Sequence, residues 1–177
     1  MKDFAYPARI VRTKDSVFDV QFLEFEEAFS EGDTFEEALE SASEVLSGVI
    51  LSMIAHGKDV PEPGRSARGK DIYEVLPDAK TQSALAIRAA FEGKNLAQIA
   101  RELETSWPAV NRLRDPGHWP TLKLLDRALK AAGKELVISI RNKEKGSDRV
   151  AERRARYGVR ATRGNPKQRS KSAGSLK

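Results

Sequence analysis

From Phe18 to Phe22 the chain alternates, with Phe18, Val20 and Phe22 on one face and Asp19 and Gln21 on the other. That two-residue period predicts a half-buried β-strand. Tyr6 to Thr13 reads as an earlier strand, which Pro7 confines to a strand start or an edge, and Lys14 to Ser16 make the turn between them. A short third strand falls at Ala28 to Ser30. At Thr34 the period changes: from Phe35 through Ala38, Ala42, Leu46 and Ile50 to Ile54, apolar residues recur every three or four positions up to His56. The result is one long amphipathic helix with a wide buried stripe. Thr34 with Glu37, or Asp33 with Glu36, offers a capping box at its start, and Gly57 ends it. After a loop over Gly57 to Asp71, Ile72 to Leu76 returns as a strand. Three strands, one helix and a returning strand predict a sheet backed by a helix.

The second half keeps helical periods. Thr81 to Glu92 places Ala84, Ile87 and Phe91 inward and stops at Gly93. Asn95 to Leu113 reads as two short helices hinged by a tight turn, with Ile99, Ala100 and Leu103 facing Val110 and Leu113. Ala100 is small enough for the two backbones to cross, Asn95 caps the first helix, and Ser106 caps the second with Pro108 in its first turn. Glu104 occupies a turn position that favours positive φ and prefers glycine. Outward from the second helix point Trp107, Asn111, Arg112 and Arg114. Such an arrangement lays a helix into the major groove of DNA, although two short amphipathic helices also occur in any helical bundle. Asn111 can read adenine, and Arg112 or Arg114 can pair guanine or grip phosphate. With the caps Asn95 and Ser106 these form the candidate DNA-binding set. Trp107 has two readings, a wedge onto DNA sugar or a lid over the small core, and His118 and Trp119 are expected to pack a loop. Thr121 to Ala132 is a further helix with Leu122, Leu125 and Leu129 inward, stopped by Gly133. Leu136 to Ile140 is expected as a final apolar strand, paired across a homodimer.

Charge divides the chain further. Net charge is roughly −9 over residues 1–63, +4 over 64–140 and +10 over 141–177. Three regions follow: an αβ head (1–77), an all-α half with a final strand (78–140) and a basic tail (141–177). The tail is expected to be disordered, with Ser147 to Tyr157 able to form a basic helix on phosphate. It reads either as an electrostatic arm for DNA or as a dispensable extension or protease handle. Without cysteine, the chain has no disulfide and no thiolate nucleophile or ligand. Its start carries no apolar signal segment and no apolar run approaches spanning length, so a soluble, cytoplasmic protein without a membrane partner is expected.

Phe18-x-Val20-x-Phe22, then Gly32-Asp33-Thr34-x-Glu36-Glu37-Ala38-Leu39, then Pro61-Glu62-Pro63 resemble the HicB antitoxins of toxin–antitoxin pairs. Leu23-Glu24-Phe25-Glu26-Glu27-Ala28 departs from that family's Pro-Asp-Leu-Pro-Gly-Cys. One HicB subclass carries a helix-turn-helix after this module, and its typical ending resembles Val110-x-Arg112-Leu113-x-Asp115-Pro116 and Ala128-Leu129-x-Ala131-x-Gly133-Lys134. The resemblance implies an α+β protein: a partial ribonuclease H-like head that has lost catalysis, followed by a helix-turn-helix domain. The head would silence a HicA-type mRNA-cleaving toxin, and the second half would repress the operon by binding operator double-stranded DNA. Ribonuclease H chemistry needs carboxylates converging on two metals, yet Tyr6 to Thr13 contains no acid. No catalytic residue, metal or cofactor is expected. An RNA-gripping toxin presents a basic surface, so Glu24, Glu26 and Glu27, with Glu37 and Glu40 on the helix, are the candidate toxin-facing residues. The alternative is a stand-alone helix-turn-helix transcriptional regulator whose head is a non-catalytic interaction domain.

Overall fold

A computed structural model describes residues 4–64 and 69–142. Its first half is a four-stranded antiparallel sheet, β1 (Tyr6–Arg12), β2 (Phe18–Phe22), β3 (Phe29–Gly32) and β4 (Ile72–Val75), in the order β3-β2-β1-β4. Register pairs Ile10 with Val20 and Ala8 with Phe22, so the inward rows of β1 and β2 coincide. Helix α1 (Phe35–Ala55) covers one face of the sheet, packing Ala38, Ala42, Leu46 and Ile50 against Ala8, Ile10, Val20 and Phe22. By length and composition α1 is apolar enough to cross a membrane, but here its apolar stripe forms the core over the sheet. The capping box forms with Thr34: the Glu37 N–H donates to Thr34 Oγ1, and the Thr34 N–H donates to Glu37 Oε2, each at 3.1 Å. Gly32 lies against the backbone of Glu37 and Ala38, where any Cβ would collide, so β3 and α1 approach as closely as they do only because of it. Pro7 sits second in β1, a strand flanked by β2 and β4 rather than at an edge, so its strand-start reading is the one realised. Its carbonyl still accepts from the Leu23 N–H at 3.2 Å.

The second half is helical: α2 (Ala79–Phe91), α3 (Leu96–Glu102), α4 (Trp107–Leu113) and α5 (Leu122–Ala131). Each starts at a side-chain cap. Asp78 accepts from Thr81, Asn95 from Ala97, Ser106 from Ala109 and Thr121 from Leu124, which satisfies N–H groups the helices cannot. A second core gathers Ile87, Phe91, Ile99, Ala100, Val110, Leu113, Leu125 and Leu129. The two cores share α2, whose Leu85 belongs to the first and whose Ile87 belongs to the second. A serine ladder fixes the join: Ser43 Oγ donates to the Leu76 carbonyl, and the Asp78 N–H donates to Ser47 Oγ. Glu104 adopts φ +52°, the left-handed turn its position demanded.

Three expectations are not realised within the single chain. Leu136 to Ile140 forms no strand; only Leu136 packs against the second core, and Ile140 is 97% exposed. A strand needs a neighbour to bond to, and among the described residues none lies alongside it. Leu122 is 58% exposed because it opens α5 directly after its cap, a turn short of the core contact made by Leu125. Trp119 is exposed rather than packed into its loop. Residues 143–177, including the basic helix expected at Ser147 to Tyr157, lie outside the described residues.

Candidate functional site

On α4 the helical period separates two faces. Val110 and Leu113 are buried, while Trp107, Asn111 and Arg112 face solvent, as does Arg114 at the C-cap. Trp107 is 55% exposed, which removes its reading as a lid over the second core. Asn95 and Ser106 are exposed too, but their side chains hold the helix starts. The turn between α3 and α4 is held from below, since Arg127 Nη2 donates to the Leu103 carbonyl at 2.9 Å. The outward set divides in two. Asn111 and Arg114 line a cleft of about 880 Å³ with Arg88 and Lys94, bounded by Ile54 and Gly57 at the end of α1. Trp107 and Arg112 lie outside that cleft. Arg88 and Lys94 carry the same chemistry as the predicted set but precede the two-helix segment, so the motif gave no cue to them.

The acidic candidates of the head also separate. Glu26, Glu27 and Glu40 are exposed. Glu24 is half-buried: its Oε1 accepts from the Gly64 N–H at 2.8 Å, joining the 23–28 turn to the loop that follows α1. Glu37 is held in the capping box. Phe25 anchors the turn, its ring centroid 5.2 Å from Tyr6 and 6.3 Å from Phe22. Tyr6 donates to the Pro61 carbonyl at 2.9 Å, and its phenol is pushed up to about 12, first by burial and then by Glu24 and Glu62. Residues 23–28 are therefore a fastened platform that presents Glu26 and Glu27 outward. Strand β1 holds no carboxylate, and among the described residues no three His, Asp or Glu side chains are grouped to hold a metal ion.

The opposite face of the sheet was not singled out by the sequence. There Arg9, Val11, Asp19, Gln21, Phe29 and Glu31 line a shallow concavity of about 870 Å³, left open because α1 covers only the inner face. The alternation in β2 marked Asp19 and Gln21 as outward, but only the register shows that Phe29 and Glu31 stand beside them.

Residues 5–80 match the family model described as a HicB-like antitoxin of bacterial toxin–antitoxin systems. Over 141 residues, 79% of this chain and 89% of the relative, the chain is 26% identical to Antitoxin HicB 1 of Photorhabdus laumondii. It is 25% identical to Antitoxin HicB of Pseudomonas fluorescens, across 77% of this chain and 94% of that protein. Against Antitoxin HicB of Escherichia coli K12 the identity is 24%, across 75% and 96% respectively.

Proposed function

We propose that this chain, whose residues 5–80 match the HicB-like antitoxin family, neutralises a HicA-type toxin and represses its own operon. The family match over the head is the observation that carries this reading. Three strands followed by a helix on one sheet face support a partial ribonuclease H-like module without catalysis. Toxin is held by carboxylates that the fold leaves free on the 23–28 turn, Glu26 and Glu27, whose charge complements a surface that grips RNA, whereas Glu40 stands on the outward side of α1, away from the sheet. Helices α3 and α4 act as a helix-turn-helix, supported by the exposure of Trp107, Asn111, Arg112 and Arg114 on a helix whose other face is buried. The exposed Leu136–Ile140 segment supports a homodimer in which it finds the strand partner it lacks, and two helices per dimer read a longer operator than one. The basic tail adds phosphate contacts without sequence preference. The protein acts in the cytoplasm and needs no cofactor.

Co-expression with the product of the neighbouring reading frame, followed by purification and titration onto the upstream DNA, tests this directly. The expected result is a stable complex that binds that DNA. Arg112→Ala should weaken DNA binding by about 1–3 kcal/mol while toxin binding persists. Equal loss of both activities would show a folding defect instead, and a chain that binds DNA but no neighbour would be a stand-alone regulator.

A further inference from the structure

The outer face of the sheet has the makings of a protein-binding surface. In one row across the strands, Val11 pairs with Asp19 and Asp19 with Glu31; in the next, Arg9 pairs with Gln21 and Gln21 with Phe29. Phe29 is 74% exposed and Val11 36%, so an aromatic ring and a branched side chain stand in water on this face. Asp19 and Glu31 stand directly opposite each other, an arrangement that costs stability in isolation. Neither has an ion-pair partner among the described residues. Among the described residues, Arg9 is the one cation lining the concavity. Arg12 stacks instead over Phe18, its guanidinium carbon 5.6 Å from the ring centroid. Strand β3 is also an edge, and it continues directly from the turn that presents Glu26 and Glu27.

We propose that this face is the docking surface for the cationic toxin, with Phe29 as the buried anchor and Asp19 and Glu31 receiving the partner's arginines or lysines. The inference rests on the antitoxin reading, which supplies a partner whose RNA-gripping surface must be basic. An exposed aromatic ringed by charge is the composition of an interface hot spot, where burial excludes water around the charged pairs. A second copy of this chain fits the face less well. Two-fold pairing would set one Asp19–Glu31 pair close to its own copy, joining like charges in an interface that ought to relieve them.

The test uses the full chain and the purified product of the neighbouring reading frame, with affinity measured by calorimetry at low and high salt. Phe29→Ser should weaken binding at least about tenfold at both salt concentrations, as loss of an apolar anchor does. The Asp19→Lys/Glu31→Lys pair should weaken it by about a hundredfold at low salt and by much less at high salt, as screening predicts. Glu135→Lys, an exposed reversal in the helical half, should leave binding within about twofold. DNA binding and the melting transition should survive in every variant; if one variant fails to fold, Asp19→Asn/Glu31→Gln reads the same surface. Wild-type binding with all sheet-face variants unaffected would overturn the docking surface while leaving the antitoxin reading intact. Phe29→Ser that splits a wild-type dimer without touching toxin affinity would also overturn it, by assigning the face to a second copy. Failure of the wild-type chain to bind the product would overturn the antitoxin reading, and this inference with it.

Discussion

The two halves of the molecule reach their structures by different routes. The helical half is assembled locally: four short helices, each begun by its own capping side chain, close over a core drawn from neighbouring turns. The head is assembled at a distance. Strand β1 pairs with β4 nearly seventy residues later, and Glu24 reaches forty residues along the chain to Gly64. The difference decides how function can be read from each. On α4 the outward residues follow from helical period alone, so exposure there is a local property. In the head, whether a carboxylate is free depends on which distant segment arrives beside it. Glu24 and Glu26 stand two residues apart, yet only Glu24 is tied into the fold.

The largest test of this contrast is Gly32→Ala. A Cβ there would meet the backbone of Ala38, and neither β3 nor α1 can yield without moving the other. The substitution should cost about 3 kcal/mol, the upper range for overpacking. Both tryptophans, Trp107 and Trp119, lie in the helical half. Tryptophan fluorescence therefore reports that half alone, while the far-ultraviolet signal follows the whole chain. Because α2 serves both cores, the two signals should melt together at a lowered temperature. A tryptophan transition left at the wild-type temperature would show that the halves unfold separately.

Tyr6→Phe probes the head's long-range fastening with a smaller effect. It removes the hydrogen bond to Pro61 and should cost about 1 kcal/mol at neutral pH. The wild-type phenol is pushed up to about 12, whereas in the unfolded chain it ionises near 10. Between those values the folded protein keeps a proton that the unfolded chain has lost, so wild-type stability falls as pH rises through that window. The variant lacks this slope, and denaturant midpoints of the two proteins should converge above about pH 10. Parallel curves up to pH 12 would mean that Tyr6 is not held as its surroundings indicate.

Much of this architecture was legible in the chain because the deciding interactions are short-range. The Thr34–Glu37 capping box, the caps at Asn95, Ser106 and Thr121, and the positive φ of Glu104 all follow from residues within one turn of each other. Where the reading failed, a partner lay elsewhere. Leu136 to Ile140 has the composition of a strand, but composition supplies no edge to pair with. Leu122 keeps the heptad-like spacing of Leu125 and Leu129, yet it lies beyond the end of the core. The candidate DNA face on α4 was visible residue by residue, whereas the outer sheet face emerges only when register places Glu31 opposite Asp19 and Phe29 opposite Gln21.

The smallest effect belongs to the local half, and its sign makes it informative. Glu104 holds φ +52° in the turn between α3 and α4, with its N–H donating to the Arg101 carbonyl at 3.0 Å. A side chain in that conformation brings its Cβ against the carbonyl, a cost of about 1 kcal/mol that glycine does not incur. Glycine gives back part of this through the greater freedom of the unfolded chain, so Glu104→Gly should stabilise by about 0.5 kcal/mol. Glu104 is exposed and the backbone bond survives the change, so nothing else in the turn offsets the gain. The same substitution removes a negative charge close to the face carrying Arg112. Operator affinity should therefore rise slightly at low salt and return to the wild-type value at high salt. A destabilised Glu104→Gly protein would mean that the carboxylate makes a contact worth more than the strain, and the turn would no longer be explained by local geometry alone.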